Sequence, residues 1–209
     1  MENRIVPTVI VKTQNELDKM LARLNGKVLR VMLDIMDGRF VTNTSLDFDF
    51  QLPSSFKYEV HLMVENPSAY VEKLAGRVDW AMIHIETLEN PETDILYFKE
   101  NGFKVSLAVN PGTPLEALLP YLDLLDGVLF LTVNPGKHGA EFRPEALEKI
   151  RRLRALGVTL PFEADGGVNP GTIQEIKNAG VDFFACGSYL MKFEDVAEGL
   201  QLLREALGD

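Results

Sequence analysis

Asp34, His61, His84 and Asp165 each lie at or near the end of a short apolar run, so the polar chemistry of this chain recurs at one structural position. Two carboxylates reaching one ligand from opposite faces suit a two-base reaction. One removes a proton beside a carbonyl, the other returns a proton on the opposite side, and a stereocentre inverts. A carboxylate with an ordinary pKa of about 4 is a weak base for a carbon acid, so the enediolate between these steps needs a metal ion or strong hydrogen bonds. His61 offers an imidazole for such a metal. Any one of these aspartates, or Asp37 beside them, could equally cap a following helix; the set together favours function. His84 and Glu86 read either as partners that orient His61 or as a satisfied pair near the rim.

Two glycine pairs point to an anion. Asp165-Gly166-Gly167 leads into Val168-Asn169-Pro170, and Gly187-Ser188 opens the last helical segment. Such short turns expose backbone N–H groups at a helix entrance, where a phosphate is held without a cation. That suits a chain with 21 basic and 31 acidic residues and a formal charge of −10, which has the wrong sign for general attraction to nucleic acid or an anionic membrane. A third loop, 134–139, is bracketed by Gly136 and Gly139 and carries Lys137 and His138; it reads as a flap over a ligand phosphate or as a plain surface loop. Met36 and Met63 follow the polar positions and would pack against ligand carbons, unless they are core filler.

The elements that must position these residues are visible as eight runs rich in β-branched residues, at 5–11, 27–34, 56–63, 80–85, 104–109, 127–133, 159–164 and 182–186. They are nearly continuous apolar runs, as in parallel strands covered on both faces. Between them lie helical stripes: Leu17, Met20, Leu21 and Leu24; Leu147, Ile150 and Leu153; Val196, Leu200, Leu203 and Leu207. Asn66-Pro67, Thr113-Pro114 and Asn169-Pro170 mark helix entrances, and Gly102, Gly157 and Gly180 mark exits. Eight alternations in 209 residues fit a single-domain (β/α)8 barrel, the TIM barrel, with an open doubly wound sheet as the alternative. Segment 37–55 has no helical stripe and reads as a loop over the site.

Composition agrees with an enzyme-like globular protein, 46% hydrophobic and 25% charged. The lone Cys186 excludes an internal disulfide and reads as core. The N-terminus lacks the pattern of a signal peptide and no run approaches the ~20 apolar residues of a membrane span, so a cytoplasmic setting is expected. A homo-oligomer is compatible with the sequence, but no stripe identifies an interface.

At these residues the chain resembles the ribulose-phosphate 3-epimerase family. The resemblance runs from Asp34-Ile35-Met36-Asp37-Gly38 with Phe40-Val41, through His61-Leu62-Met63-Val64 and Asn66-Pro67, His84-Ile85-Glu86, Asn110-Pro111-Gly112-Thr113-Pro114 and Val133-Asn134-Pro135-Gly136, to Asp165-Gly166-Gly167-Val168-Asn169 and Gly187-Ser188. It implies a ribulose-phosphate-binding barrel, a divalent metal such as zinc, and interconversion of ribulose 5-phosphate with xylulose 5-phosphate. By resemblance, Asp34 and Asp165 are the acid/base pair and also metal ligands, His61 is a third ligand, and Gly166, Gly167, Gly187 and Ser188 hold the phosphate. Thr8 stands where the family has a substrate-contacting serine, and keeps the hydroxyl.

One departure bears on the chemistry. Met32 occupies the position of a family histidine ligand, and a thioether is a poor ligand for zinc. Three readings follow: an epimerase with a three-ligand or altered metal site; another reaction on the same scaffold, although Asp34-Ile35-Met36-Asp37 lacks the lysine of related decarboxylases and aldolases; or a non-catalytic sugar-phosphate binder.

Overall fold

The computed structural model describes residues 4–136 and 139–208. Strands β1 (Ile5–Val9), β2 (Arg30–Asp37), β4 (Lys57–Met63), β5 (Trp80–His84), β6 (Lys104–Val109), β7 (Gly127–Leu131), β8 (Phe162–Asp165) and β9 (Phe183–Cys186) are all parallel. Their order is β1-β9-β8-β7-β6-β5-β4-β2, and pairing of β1 with β2 closes the ring. Closure removes the open-sheet alternative. Each of the eight expected runs overlaps one parallel strand, with 104–109 matched end to end and the others shifted or shortened at an end. The second strand reaches Asp37 because β4 continues beside it, with Met36 opposite Met63, and because a two-residue strand, β3 (Thr44–Ser45), pairs antiparallel with Met36 and Asp37. Asp34 therefore sits inside a strand rather than at its end. The segment without a helical stripe has no helix.

The helices follow their stripes. α1 (Gln14–Leu24) buries Leu17, Leu21 and Leu24, and is capped by the Thr13 hydroxyl accepting from Glu16 N. α2 (Val71–Leu74) and α3 (Pro91–Glu100) are followed by α4 (Ala146–Ala155), which buries Leu147, Ile150 and Leu153. α5 (Ile173–Asn178) precedes α6 (Val196–Leu207), which buries Val196, Leu200, Leu203 and Leu207 behind an Asp195 cap. The three exit glycines have φ of 88°, 83° and 108° at Gly102, Gly157 and Gly180, the left-handed region that ends a helix. The entrances are less regular than expected. Asn66-Pro67 and Thr113-Pro114 open short 3-10 turns, and Asn169 Oδ1 accepts from Gly171 N, so that α5 begins only after Thr172.

Each strand buries both faces, which is why the runs are continuous rather than alternating. The outward faces meet the helices in one large core; the inward faces of the barrel form a separate cluster of Val6, Met32, Met82, Ala108, Leu129, Leu131 and Ala185. Two residues before His61 and Asp165 on their strands, and so on the same inward faces, lie the buried Glu59 and Glu163. Arg30 Nη1 is 3.6 Å from Glu59 Oε2. Among the described residues, no helix is long and apolar enough to cross a membrane.

Candidate active site at the rim of the barrel

Asp34 and His61 are directly opposite one another on β2 and β4, and Asp165 ends β8 across the barrel. His61 Nδ1 lies 3.5 Å from Asp34 Oδ1 and 3.3 Å from Asp165 Oδ2. One ligand atom from each residue lies within 4.8 Å of the other two. Asp34 Oδ1 and His61 Nδ1 are buried without a hydrogen-bond partner, an arrangement that needs a compensating charge. The titration behaviour agrees. Burial, assisted by the neighbouring Asp165 charge and opposed by His61, pushes the Asp34 carboxyl up to about 6. Burial alone would lower His61, but the Asp165 and Asp34 carboxylates beside it carry it to about 9. Both shifts express one demand, for positive charge between the two carboxylates. Two carboxylates and one imidazole are suitable donors for zinc or a similar divalent ion, so these three residues could hold one.

Met32 does not join them. It is completely buried and belongs to the apolar cluster inside the barrel. Asp37 also stands apart: its Oδ1 accepts from the N–H groups of Arg39 and Phe40, and its Oδ2 from Glu65 N at 2.8 Å. Partial burial works against its charge, but those bonds hold its carboxyl below the usual range. Asp37 thus takes the structural reading.

Behind His61 runs a chain of hydrogen bonds. His61 Nε2 faces His84 Nε2 at 2.9 Å, and His84 Nδ1 faces Glu86 Oε2 at 3.0 Å, with the two imidazoles stacked at 25°. Burial pushes His84 down to about 4. Burial would raise Glu86, yet bonds from His84, Thr113 and Asn110 N pull it to about 2. The orienting reading of this pair is the one the geometry supports. Asn110, Thr113 and Lys149 join the chain behind it, and sequence reasoning missed their part. Lys149, on α4, donates to the carbonyls of Asn110, Pro111 and Thr113. The motif 110–114 was a sequence signal for the first two; a single lysine on a helix gave none.

The pocket above the carboxylates is lined by Thr8, Met36, Met63, Gly136, Gly139, Gly166, Gly167, Gly187 and Ser188 together with Asp34 and Asp165. His61 lies beneath that surface, fully buried. Four of these glycines leave no room for a Cβ, and the approach is tightest at two. A Cβ at Gly166, where φ is 108°, would stand 2.3 Å from Val133 Cγ2, and one at Gly187 would stand 2.3 Å from Thr8 Oγ1. The Gly167 carbonyl accepts from Asn169 Nδ2 and Thr172 Oγ1, which ties its turn to the start of α5. Lys137 and His138 lie outside the described residues.

Comparison with known proteins agrees with this geometry. The chain is 32% identical over 216 residues to the ribulose-phosphate 3-epimerase of Mycobacterium tuberculosis, covering 98% of this chain and 93% of that protein. It is 34% identical over 201 residues to the cytoplasmic isoform of ribulose-phosphate 3-epimerase of Oryza sativa, covering 92% and 87%. Among solved structures, a tryptophan synthase alpha-subunit of Pyrococcus furiosus superposes with a TM-score of 0.71 at 15% identity, covering 100% and 99%. The 3-hexulose-6-phosphate synthase of Salmonella typhimurium superposes at 0.69 and 11%, covering 98% of each chain. These two likenesses establish the barrel alone. The family profile described as "Ribulose-phosphate 3 epimerase family" matches residues 4–191, and with those relatives it places the chain in the ribulose-phosphate 3-epimerase family.

Proposed function

We propose that the protein is an isomerase that interconverts ribulose 5-phosphate and xylulose 5-phosphate by two-carboxylate proton transfer at C3. The observation that carries this is the pair Asp34 and Asp165, which come from β2 and β8, line one pocket and lie 3.5 and 3.3 Å from the same His61 ring nitrogen. One carboxylate, ionised, takes the proton from C3 as the C–H electrons move onto the C2 oxygen. The other, protonated, delivers its proton to the opposite face of C3 as the carbonyl re-forms. The enzyme then resets by exchanging protons with solvent.

Asp34, His61 and Asp165 would hold a divalent ion, zinc by the chemistry of the donor set. Bound there, it supplies positive charge for the developing enediolate. The backbone of Gly166, Gly167, Gly187 and Ser188 would hold the phosphate, with Gly136 and Gly139 on the facing loop. Thr8 would contact the sugar, and Met36 and Met63 would pack against its carbons. The name of the rice relative supports a cytoplasmic setting.

The test is exchange of the C3 proton of ribulose 5-phosphate with deuterated solvent, measured with metal content of the same sample. Exchange at a rate that follows divalent metal supports the reading; no exchange with zinc, manganese, cobalt or iron(II) overturns it. The burial of Met32 in place of a fourth donor favours a second reading, a sugar-phosphate binder without turnover. Micromolar binding indifferent to chelators, with no exchange, is its signature.

A further inference from the structure

The hydrogen-bond chain ending on His61 has a direction, and that direction is set in the turn that follows β6. Asn110 N–H can only donate, and it donates to Glu86 Oε1 at 2.9 Å; the Thr113 hydroxyl donates to the same oxygen. Held in its ionised form by these bonds, the Glu86 carboxylate can only accept, so Oε2, 3.0 Å from His84 Nδ1, takes the proton of that nitrogen. A neutral imidazole protonated on Nδ1 has its lone pair on Nε2, the atom facing His61 Nε2. His61 must then carry its proton on Nε2. In the neutral form that a bound cation requires, the remaining lone pair is on Nδ1, which faces Asp34 Oδ1 and Asp165 Oδ2.

We propose that Glu86 and His84 are positioning residues that hold His61 in the Nε2–H tautomer, so that Nδ1 is presented as a donor to a divalent cation between Asp34 and Asp165. This rests on the metal reading above. Lys149 completes the device by fixing the carbonyls of the 110–113 turn from α4, so two strands, the turns after β5 and β6 and a helix determine where one proton sits. A ligating histidine usually donates its other N–H to an acceptor, and loss of that partner lowers metal affinity about 10–100-fold.

Two substitutions separate this from a packing role. In Glu86→Gln, Asn110 N–H keeps the amide oxygen on its own side, so the amide NH2 faces His84 Nδ1. His84 must then move its proton to Nε2 and donate to His61 Nε2, so that His61 carries its proton on Nδ1 and the donor there is lost. His84→Gln instead presents an amide oxygen to His61 Nε2 and keeps the direction. Cobalt(II) affinity of the full chain is measured by calorimetry and visible absorption, and the His61 tautomer by nitrogen-15 NMR of the zinc-loaded protein. The expected result is a loss of about 10–100-fold in Glu86→Gln, near-wild-type affinity in His84→Gln, and a His61 Nε2–H signal in both wild type and His84→Gln. A packing role predicts the reverse order, because Glu86→Gln is the closer isostere; that order, or equal losses, overturns the proposal. Should Glu86→Gln fail to fold, His84→Leu is set against His84→Gln: lower affinity in the leucine variant supports the proposal and equal affinity overturns it. Wild-type binding that disappears in Asp34→Asn supports the metal reading itself. Wild type that binds no divalent cation overturns both, whereas unchanged affinity in Glu86→Gln overturns this inference alone.

Discussion

Met32 and Asp34 share the inward face of β2, two residues apart, yet the thioether is sealed among Val6, Met82 and Leu129 while the carboxylate reaches His61 Nδ1 at 3.5 Å. Asp34, His61 and Asp165 thus supply three donors, and the neighbouring position that could carry a fourth is apolar.

Met32→His tests whether that position limits metal binding. An imidazole there adds a good zinc ligand, and calorimetry is expected to show divalent-cation affinity rising at least tenfold, with C3 exchange rising alongside. Unchanged affinity in a folded variant would mean that the ring packs in the apolar cluster instead.

Asp165→Asn removes one of the two proton-transfer groups and leaves the glycine turn intact. Exchange at C3 is expected to fall by about 10²–10⁴-fold, while inorganic phosphate still protects the protein thermally as in wild type. Retained exchange in the variant would remove Asp165 from the proposed acid/base pair.

Gly187→Ala places a methyl against the Thr8 hydroxyl and crowds the proposed phosphate turn. The expected outcome is a KM for sugar phosphate raised about tenfold or more, consistent with loss of a charge-assisted bond of about 1.5–3 kcal/mol, with kcat changed far less. A fall in kcat at constant KM would place the phosphate elsewhere.

Glu59 supplies a pH prediction. Burial lifts its carboxyl from 4.5 to about 7, against the pull of Arg30. Glu163 is raised well above its ordinary value, also by burial first and then by Glu59, since two carboxylates buried side by side resist sharing two negative charges. The folded state keeps a proton on Glu59 that the unfolded chain has released, so stability falls as pH rises from about 4.5 through 7. Glu59→Gln lacks this loss. Urea melts should show the variant gaining on wild type between pH 4.5 and 8, by about 3 kcal/mol at most; a constant difference would mean that Glu59 titrates normally.

The local sequence determined the periodicities and the turns. Continuous apolar runs specified strands buried on both faces, the stripes specified α1, α4 and α6, and glycines 102, 157 and 180 stopped helices because little else adopts positive φ there. The types and approximate places of Asp34, His61, Asp165 and the two glycine pairs were legible too, since a parallel barrel puts its chemistry at strand ends. Tertiary structure decided what depends on partners distant in sequence. Pairing of β1 with β2 turned alternation into a closed ring, and β3 with β4 carried β2 on to Asp37. It separated Asp34 from Asp37, two similar aspartates three residues apart, because one faces His61 across the ladder and the other meets the free N–H groups of a turn. It also set the direction of the chain from Asn110 through Glu86 and His84 to His61: a tautomer is chosen by which neighbour must donate, and that neighbour is 49 positions away from His61 in sequence, 110 − 61.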